Sequence, residues 1–466
     1  MAQDWILEPN LNNKAGRDSF RKPNPSQSRL VAFDLITQVN RGGAYANLRL
    51  PELLSASSLD LRDRGFVTEL SYGALRMQGK HDYAIKSKID RPFEELDHNV
   101  VDLLRIGVHQ LLEMRVSDHA AVSETVELAR KVAGESKASF INAILRAISA
   151  DTDIYSRLEN DPNIELIEKL SILYSHPTWI VSAFYDQLRD WEEVKSLLKT
   201  NNQPVAPNLI AWPGKSTVEE LLEVGGQRLD LGRYAVLSDH LPNQYPAIKD
   251  KRAGVQDVGS QLLTEIFFAT ATSPVTDWLD MCAGPGGKAA FTYNLIQEFR
   301  EADTFLANEP SEHRAELVAR VIPRNLISTH DGTNPDVFEK KFDRILVDAP
   351  CSGLGALRRR PEARWRKSMN DLKELIPLQR ALIDSAYDLL NPGGVIGYAT
   401  CSPHLAETTA QVLDAKYRHK ELEVLSISDY SPKGDLGVNK DGTLQLWTHR
   451  QESDSMFLAL LHKPGN

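Results

Sequence analysis

The sequence is poor in cysteine: its 466 residues contain three, Cys282, Cys351 and Cys401. Three widely separated thiols exclude the disulfide framework of a small secreted protein, and no C-x-x-C pair indicates a zinc site. We therefore expect no metal and a reducing compartment, the cytoplasm.

Long apolar runs are also missing. No stretch approaches the roughly eighteen apolar residues of a membrane-spanning helix. The first ten residues, MAQDWILEPN, lack the basic flank and apolar stretch of a signal peptide. The sequence thus predicts an intracellular protein without a membrane segment.

Basic residues are not in excess: 54 Lys and Arg against 64 Asp and Glu give a net charge of −10. This acidic total argues against an indiscriminate coat for nucleic acid, although local basic patches can still bind it. A hydrophobic content of 42% is ordinary, so the chain can bury a sizeable core. Its length indicates about three domains.

The pattern along the chain predicts four parts. Residues 1–27 are polar, with prolines at 23 and 25, and predict a flexible basic arm. Residues 28–150 repeat apolar positions at helical spacing without a convincing strand, which predicts an all-α domain. Residues 151–254 predict further helices and a small α+β connector. Residues 255–466 alternate apolar runs with helical segments, which is typical of an α/β domain with an open parallel sheet.

In this last part the conspicuous motifs follow the apolar runs. Ligands of an open α/β sheet bind beyond the carboxyl ends of its strands, at the switch in strand order. We therefore expect the chemistry at those ends. The predicted strands are 275–280, 304–309, 325–329, 343–349 and 395–400.

The first of these strands ends in a glycine loop, DMCAGPGGKAA (280–290). Its glycines let the backbone approach a ligand, and the next helix presents free amide groups. The spacing matches neither a dinucleotide fingerprint nor a P-loop. A nucleoside cofactor without a phosphate chain fits better, with Glu309 placed for the ribose hydroxyls and Asp331 for the adenine. An ordinary tight turn remains open.

Two thiols and a carboxylate follow the fourth and fifth strands. ILVDAPCSGLG places Asp348 and Cys351 there, and IGYATCSP places Cys401. A lone cysteine is usually a small buried hydrophobe. Two of them at the ligand-binding edge instead favour a nucleophilic thiolate and a group that handles a proton. Cysteine-protease chemistry with His404 is disfavoured, because CSPH lacks a glycine-supported elbow.

Together, DMCAGPGGKAA, DRILVDAPCSGLGALRRRPEARWR and YATCSPHLAE resemble the motifs of the RNA (cytosine-5) methyltransferases. The full length, from about position 28 to 462, is similar to the branch of that family that methylates bacterial 16S ribosomal RNA. The resemblance implies a helical RNA-binding domain similar to the antitermination factor NusB. A Rossmann-like catalytic domain that uses S-adenosylmethionine would follow it.

The resemblance also implies a role for each residue. Cys401 would be the nucleophile that attacks cytosine C6, and Cys351 would assist release of the product. Asp348 would contact both the target base and the methionine end of the cofactor. Glu309 would bind the ribose and Asp331 the adenine edge. The cofactor loop would consist of Cys282, Ala283, Gly284, Pro285, Gly286, Gly287 and Lys288.

Three positions depart from the family pattern. The loop continues as GGKAA where a hydroxyl is common, and Glu309-Pro310 stands where an aspartate is usual. After TCSP, the usual Glu-Asn pair reads Glu407-Thr408. None of these changes replaces a thiol or Asp348, so we expect an active enzyme.

A local basic patch, RRRPEARWRK (358–367), follows the Cys351 turn. A solvated charge run is the simple interpretation, but this position favours phosphate contacts beside the target base. Trp365 either stacks on a base or packs inside the protein. The residues predicted to contact RNA are Lys288, Arg358, Arg359, Arg360, Arg364, Trp365 and Arg366.

We expect a monomer whose partner is RNA, namely 16S ribosomal RNA. Two alternatives stay open. One is the same chemistry on tRNA or another RNA, and the other is a non-catalytic RNA-binding assembly factor with a degenerate site.

Overall fold

The computed structural model describes residues 23–465. Residues 1–22 of the predicted arm lie outside this range. The described chain forms a helical bundle, then a helical and α+β region, then a Rossmann-like domain, as predicted. No helix between positions 23 and 465 is long and apolar enough to cross a membrane.

The bundle is built around α5 (His98–Leu112), whose side chains are buried on two sides. Leu103 and Leu104 pack into one apolar cluster, and Ile106 packs into a second. The Asp97 carboxylate caps the start of α5 by accepting a hydrogen bond from the Asn99 amide at 2.8 Å. The other helices are α1 (Gln27–Gly42), α2 (Ala46–Ala56), α3 (Leu61–Arg76), α4 (Gln78–Lys86), α6 (Asp118–Val132) and α7 (Glu135–Ser149).

The middle region consists of four helices followed by a small part in which two short helices accompany an antiparallel sheet. The strands of this sheet lie in the order 227–228, 235–237, 208–211 and 253–255. The helices are α8 (Ile154–Asn160), α9 (Leu166–Leu173), α10 (Thr178–Leu188) and α11 (Trp191–Asn201). The sheet part contains β1 (Asn208–Ala211), α12 (Val218–Val224), β2 (Gln227–Arg228), β3 (Ala235–Leu237), α13 (Pro246–Lys249) and β4 (Ala253–Val255).

The last domain is a twisted, mixed sheet between helices. Its first half comprises α14 (Val258–Ala269), β5 (Asp277–Asp280), α15 (Gly287–Phe299), β6 (Thr304–Asn308), α16 (Glu312–Val318), β7 (Ile327–Ser328) and β8 (Phe342–Asp348). Its second half comprises α17 (Ala363–Arg366), α18 (Met369–Leu389), β9 (Leu390–Thr400), α19 (Thr409–Arg418), β10 (Glu423–Leu425), β11 (Leu444–Gln445), α20 (Thr448–Gln451) and β12 (Phe457–His462).

The strand order β10-β12-β9-β8-β5-β6-β7 places the switch point between β5 and β8. From β5 the chain proceeds to β6 and β7 on one side, and β8 and β9 then lie on the other side. These five strands pair in parallel. They overlap the five apolar runs that the sequence predicts as strands, so their carboxyl ends share one edge of the sheet.

Residues 362–366 connect this domain to the two before it. Arg364 is fully buried. Its guanidinium donates to the Arg76 carbonyl at the end of α3, to the Ser175 carbonyl at 3.0 Å and to the Asn202 side chain at 2.8 Å. Arg366 donates to backbone carbonyls after α1, including Gly43 at 3.2 Å. Much of the basic patch is therefore a domain interface.

The expected RNA contacts need correction here. Arg364 cannot reach a phosphate because its side chain is fully buried and both terminal nitrogens of its guanidinium donate to protein acceptors. For Trp365, the structure favours packing over stacking on a base, since the indole lies against Gly79, where an added Cβ would come within 2.5 Å of the ring. The guanidinium of Arg366 is occupied by carbonyls of the helical bundle.

Replacing Arg364 with methionine keeps much of the side-chain volume and removes every donor. The buried acceptors at this interface then lose their partner, and we expect the free energy of unfolding to fall by about 2–4 kcal/mol. Urea unfolding followed by fluorescence measures this. The exposed Arg360 provides the control, because Arg360→Met should change the free energy by less than about 0.5 kcal/mol. Equal effects of the two substitutions would contradict the role given to Arg364.

Candidate active site

The glycine loop lies directly after β5 and opens α15. Gly286 has a φ of +114°, and a Cβ at this position would come within 2.8 Å of Val321. A Cβ at Gly287 would have its nearest neighbour only at 3.9 Å, so the backbone borders open space there. The first turn of α15 presents amide groups that have no partner within the helix. The loop is thus a backbone cradle beside a gap.

Glu309, after β6, supports this loop from below. Its carboxylate accepts hydrogen bonds from the Gly284 amide at 3.0 Å and from the Ser311 amide at 3.1 Å. Arg314 lies 3.4 Å from the same carboxylate. A side chain at position 284 would collide with Glu309, because its Cβ would be 2.3 Å from a carboxylate oxygen. This explains why glycine is required at position 284.

Asp280 is a buried carboxylate under the loop that the sequence prediction missed. Neither carboxylate oxygen accepts a hydrogen bond of normal distance and angle from any residue between 23 and 465. Burial, followed by repulsion from Asp348, raises the pKa of Asp280 to about 8, although the Cys282 amide lowers it in part. A nearby positive charge would relieve this repulsion.

These residues fit a cationic nucleoside cofactor. The glycines supply close backbone approach, and three carboxylates, those of Asp280, Glu309 and Asp348, surround the loop closely enough to raise the pKa of the Cys282 thiol, after the larger effect of burial. A sulfonium and an ammonium group would both be favoured there. The residues described contain no cluster of three or more His, Cys, Asp or Glu side chains able to hold a metal ion.

Asp331 lies at the loop edge after β7. It is exposed, and its carboxylate accepts hydrogen bonds from the Thr333 amide at 2.9 Å and from the Thr333 hydroxyl at 2.8 Å.

Asn308, another residue that the sequence prediction missed, is fully buried and joins the neighbouring strand ends. Its side chain contacts the carbonyls of Met281 at 3.2 Å and His330 at 3.1 Å. Asn308 thereby holds the β5 and β7 ends in place.

The two predicted thiols are adjacent. The sulfur atoms of Cys351 and Cys401 are 3.4 Å apart, within hydrogen-bonding distance. The turn that carries Cys351 is fixed to the end of β9 by two backbone hydrogen bonds, from Ala349 to Ala399 and from Gly355 to Cys401, both at 2.9 Å. The register of β8 against β9 therefore brings Cys351 and Cys401, fifty positions apart in the sequence, into contact.

Their environments give the two thiols different acidities. The hydrogen bond with Cys351 lowers the pKa of Cys401, and Lys288 acts in the same direction, while burial, Asp348 and Asp454 oppose them. The same hydrogen bond, with burial, raises the pKa of Cys351 well above the usual thiol value. Cys401 is thus the better thiolate and Cys351 the retained proton donor.

Asp348 and Lys288 form an ion pair beside the thiols. The Lys288 ammonium lies 2.9 Å from the Asp348 carboxylate. Burial lowers the pKa of Lys288, but its interaction with Asp348 outweighs this and the net pKa is raised. The pair is therefore charged, with the carboxylate partly open to solvent and able to accept a further hydrogen bond.

The remaining arginines of the basic patch have other partners, and only Arg359 lies near enough to Cys401 to be influenced by it. Arg359 forms an ion pair with Asp454, whose own amide donates to Asp257 at 3.0 Å. Arg358 donates to the Pro204 carbonyl at 3.4 Å, and Arg360 is exposed. These three, unlike Arg364, remain candidates for contact with a bound polyanion.

Two family models match the chain. One, described as 16S rRNA methyltransferase RsmB/F, matches residues 269–462. The other, the NusB family, matches residues 26–150.

Similar proteins match along nearly the whole length. A methyltransferase of Mycobacterium tuberculosis strain H37Rv is 41% identical over 447 residues, covering 94% of this chain and 96% of the relative. A ribosomal RNA small subunit methyltransferase B of Bacillus subtilis strain 168 is 28% identical over 457 residues, covering 94% and 99%. The crystal structure of PH0851 shares the fold, with a TM-score of 0.77 at 21% identity over 95% of this chain and 100% of that one.

The shared hydrogen bond can be tested by thiol alkylation across a pH range. We expect the alkylation rate of Cys401 to rise with a midpoint below 9.0, the usual value. In Cys351→Ala the lowering hydrogen bond is lost while burial and Asp348 remain, so the midpoint should move to higher pH. Mass spectrometry identifies the alkylated residue, and Cys282→Ala serves as the control. An unchanged midpoint in Cys351→Ala would contradict the geometry.

Proposed function

We propose, since the chain belongs to the RsmB/F family of 16S ribosomal RNA methyltransferases, that it methylates C5 of a cytosine in 16S ribosomal RNA. The enzyme is S-adenosylmethionine-dependent, as the family is. The observation that carries the cytosine-C5 assignment is the pair of unlike thiols, 3.4 Å apart, beside the Lys288–Asp348 ion pair.

The loop from Cys282 to Lys288 would hold the cofactor. Glu309 would reach the ribose, Asp331 the adenine edge, and Asp348 the methionine end. Bound there, S-adenosylmethionine supplies an electrophilic methyl group. The buried carboxylates around the loop would favour its positive charge, and the glycines leave room for its close approach.

Two thiols suit cytosine because C5 is a poor nucleophile. Addition of the Cys401 thiolate to C6 forms a C6–S bond and pushes electron density to C5, which can then accept the methyl group. The lowered pKa of Cys401 makes this thiolate available. The carboxylate of Asp348 would hydrogen-bond the exocyclic amine, and Lys288 beside it would keep that carboxylate in place.

The adduct must next lose its C5 proton to a solvent water molecule, so that the C5–C6 double bond re-forms and the electrons of the C6–S bond return to the Cys401 sulfur. Cys351 keeps its proton, because its pKa is raised, and lies within hydrogen-bonding distance of the Cys401 sulfur. Its S–H group would stabilise the negative charge on the departing sulfur. Cys351 thus acts directly in release, and it contributes to attack only through its hydrogen bond to Cys401.

A stacked base cannot reach these thiols, so the target cytosine would be flipped out or presented in a loop. Lys288, Arg358, Arg359 and Arg360 would contact the neighbouring backbone. The NusB-like bundle would add a second RNA-binding surface. A relative that matches over 94% of this chain is named as a methyltransferase of small-subunit ribosomal RNA, and this favours 16S ribosomal RNA over tRNA as the substrate. Free thiols fit a cytoplasmic protein.

Replacing Cys401 with serine should abolish methyl transfer, because a serine hydroxyl is not ionised near neutral pH and cannot add to C6. We expect a loss of at least about 1,000-fold in the transfer of labelled methyl groups to unmodified 16S ribosomal RNA. Bisulfite sequencing of the product locates the cytosine. Residual full activity in Cys401→Ser would end the covalent mechanism, and labelling of tRNA alone would reassign the substrate.

Replacing Cys351 with alanine should slow attack to some extent, because the Cys401 pKa then rises, but it should slow release more, because the departing sulfur loses its only hydrogen-bond donor among the thiols. We therefore expect a covalent protein–RNA adduct to accumulate, visible as a denaturant-resistant shift on a gel. The double variant Cys351→Ala with Cys401→Ser is the control and should give no shifted band. If Cys351→Ala turns over without an adduct, Cys351 has no part in release.

A further inference from the structure

We propose that Glu407 is a positioning residue that joins the turns of both thiols and determines which of them acts as the nucleophile. This inference rests on the proposed function for its consequence in catalysis. Its basis is a buried hydrogen-bond network around the residues that directly follow the two thiols, Ser352 and Ser402. Neither the sequence motifs nor the resemblance assigns a role to this network.

Glu407 is fully buried, and its carboxylate is well satisfied by hydrogen bonds. One oxygen accepts from the Ser352 amide at 2.8 Å and from the Gln379 side chain at 3.1 Å. The other accepts from the Ser402 hydroxyl at 2.6 Å and from the Ser352 hydroxyl. Four donors around one buried carboxylate keep it in a single position.

The two serines are the residues that directly follow the two thiols in sequence. Ser352 follows Cys351 after β8, and Ser402 follows Cys401 after β9. The two hydroxyls also contact each other at 3.1 Å. One carboxylate therefore connects the two turns, so that a shift of either thiol would break a hydrogen bond to Glu407.

Glu407 itself is held from the sheet. The Tyr398 hydroxyl, on β9, donates to the Glu407 carbonyl at 2.7 Å. The Glu407 amide donates to the His404 carbonyl at 2.9 Å. Both the backbone and the side chain are thus fixed before any substrate binds, as a positioning residue requires.

The charge of Glu407 acts unequally on the two thiols. After the hydrogen bond with Cys401 and the effect of burial, the Glu407 carboxylate is a further cause that raises the pKa of Cys351. The charged groups that influence Cys401 are others, namely Asp348, Lys288 and Asp454. Tyr398 also faces Cys351. A negative charge behind Cys351 keeps the shared proton there and leaves the thiolate on Cys401.

Glu407→Gln isolates this charge. Glutamine has the same shape, and its amide can hydrogen-bond both serine hydroxyls while its oxygen accepts from the Ser352 amide. With the charge removed, we expect the ratio of the Cys401 to the Cys351 alkylation rate at neutral pH to fall by about tenfold. Iodoacetamide with mass spectrometry measures this on the full chain, without RNA or cofactor.

Two comparisons complete the test. Glu374→Gln changes an exposed glutamate on α18 and should leave the ratio unchanged. Ser402→Ala keeps the charge but removes one anchor, so it should preserve the preference for Cys401 while lowering kcat for RNA methylation several-fold with little change in KM. A Glu407→Gln protein that keeps the wild-type ratio and kcat, with an unchanged melting temperature, would overturn the proposal.

The alkylation readout separates this inference from the proposed function. If wild type shows the preference for Cys401 and Glu407→Gln loses it, the positioning role stands even where no cytosine is methylated. If wild type methylates RNA but the thiol preference does not depend on Glu407, the function stands and the role of Glu407 fails.

Discussion

The parallel pairing of β8 with β9 is the constraint on which the active site depends. Asp348 pairs with Ala399, so the chain leaves both strands at the same level of the sheet. Cys351 lies three residues after Asp348, and Cys401 lies two residues after Ala399. Their sulfur atoms are 3.4 Å apart. A shift of register by one residue would turn the side chains to the opposite face and separate the thiols. Their acidities follow, because each thiol is the main influence on the other.

The same turn connects catalysis to the domains that precede it. From Cys351 the chain passes Gly355, held by the end of β9, and reaches Arg364 within the interface. The basic patch thus divides between two tasks. Arg359 pairs with Asp454 near Cys401, whereas Arg364 and Arg366 donate to backbone carbonyls of the helical bundle. Because one short segment performs both, the orientation of the bundle is tied to the position of the thiols.

Negative charge dominates the cofactor side of the site, and one ammonium group balances it. Asp280, Glu309 and Asp348 converge on the glycine loop, and Lys288 pairs with the last of them. Burial, followed by repulsion from Asp348, raises the pKa of Asp280 to about 8, and Lys288 offsets only part of this effect. Glu407, which accepts hydrogen bonds from the serines that follow the two thiols, adds a further buried carboxylate. It contributes to the raised pKa of Cys351 after the hydrogen bond with Cys401 and burial, whereas Asp348, Lys288 and Asp454 are the charged groups that act on Cys401.

Much of this could be predicted from local sequence. Apolar periodicity located the strands, and their ends located Asp348, Cys351, Cys401 and the glycine loop, because side-chain direction and turn chemistry are local properties. A serine follows each thiol in the sequence. That pattern points to Glu407 only in the folded protein, where both serines donate hydrogen bonds to its carboxylate. The burial of Arg364 depends on distant parts of the chain, such as the Arg76 carbonyl, which lies 288 residues away in the sequence. Charge along the chain determined that a basic patch exists, whereas the packing of three domains decided which of its members are buried, because burial depends on long-range contacts that local spacing does not record.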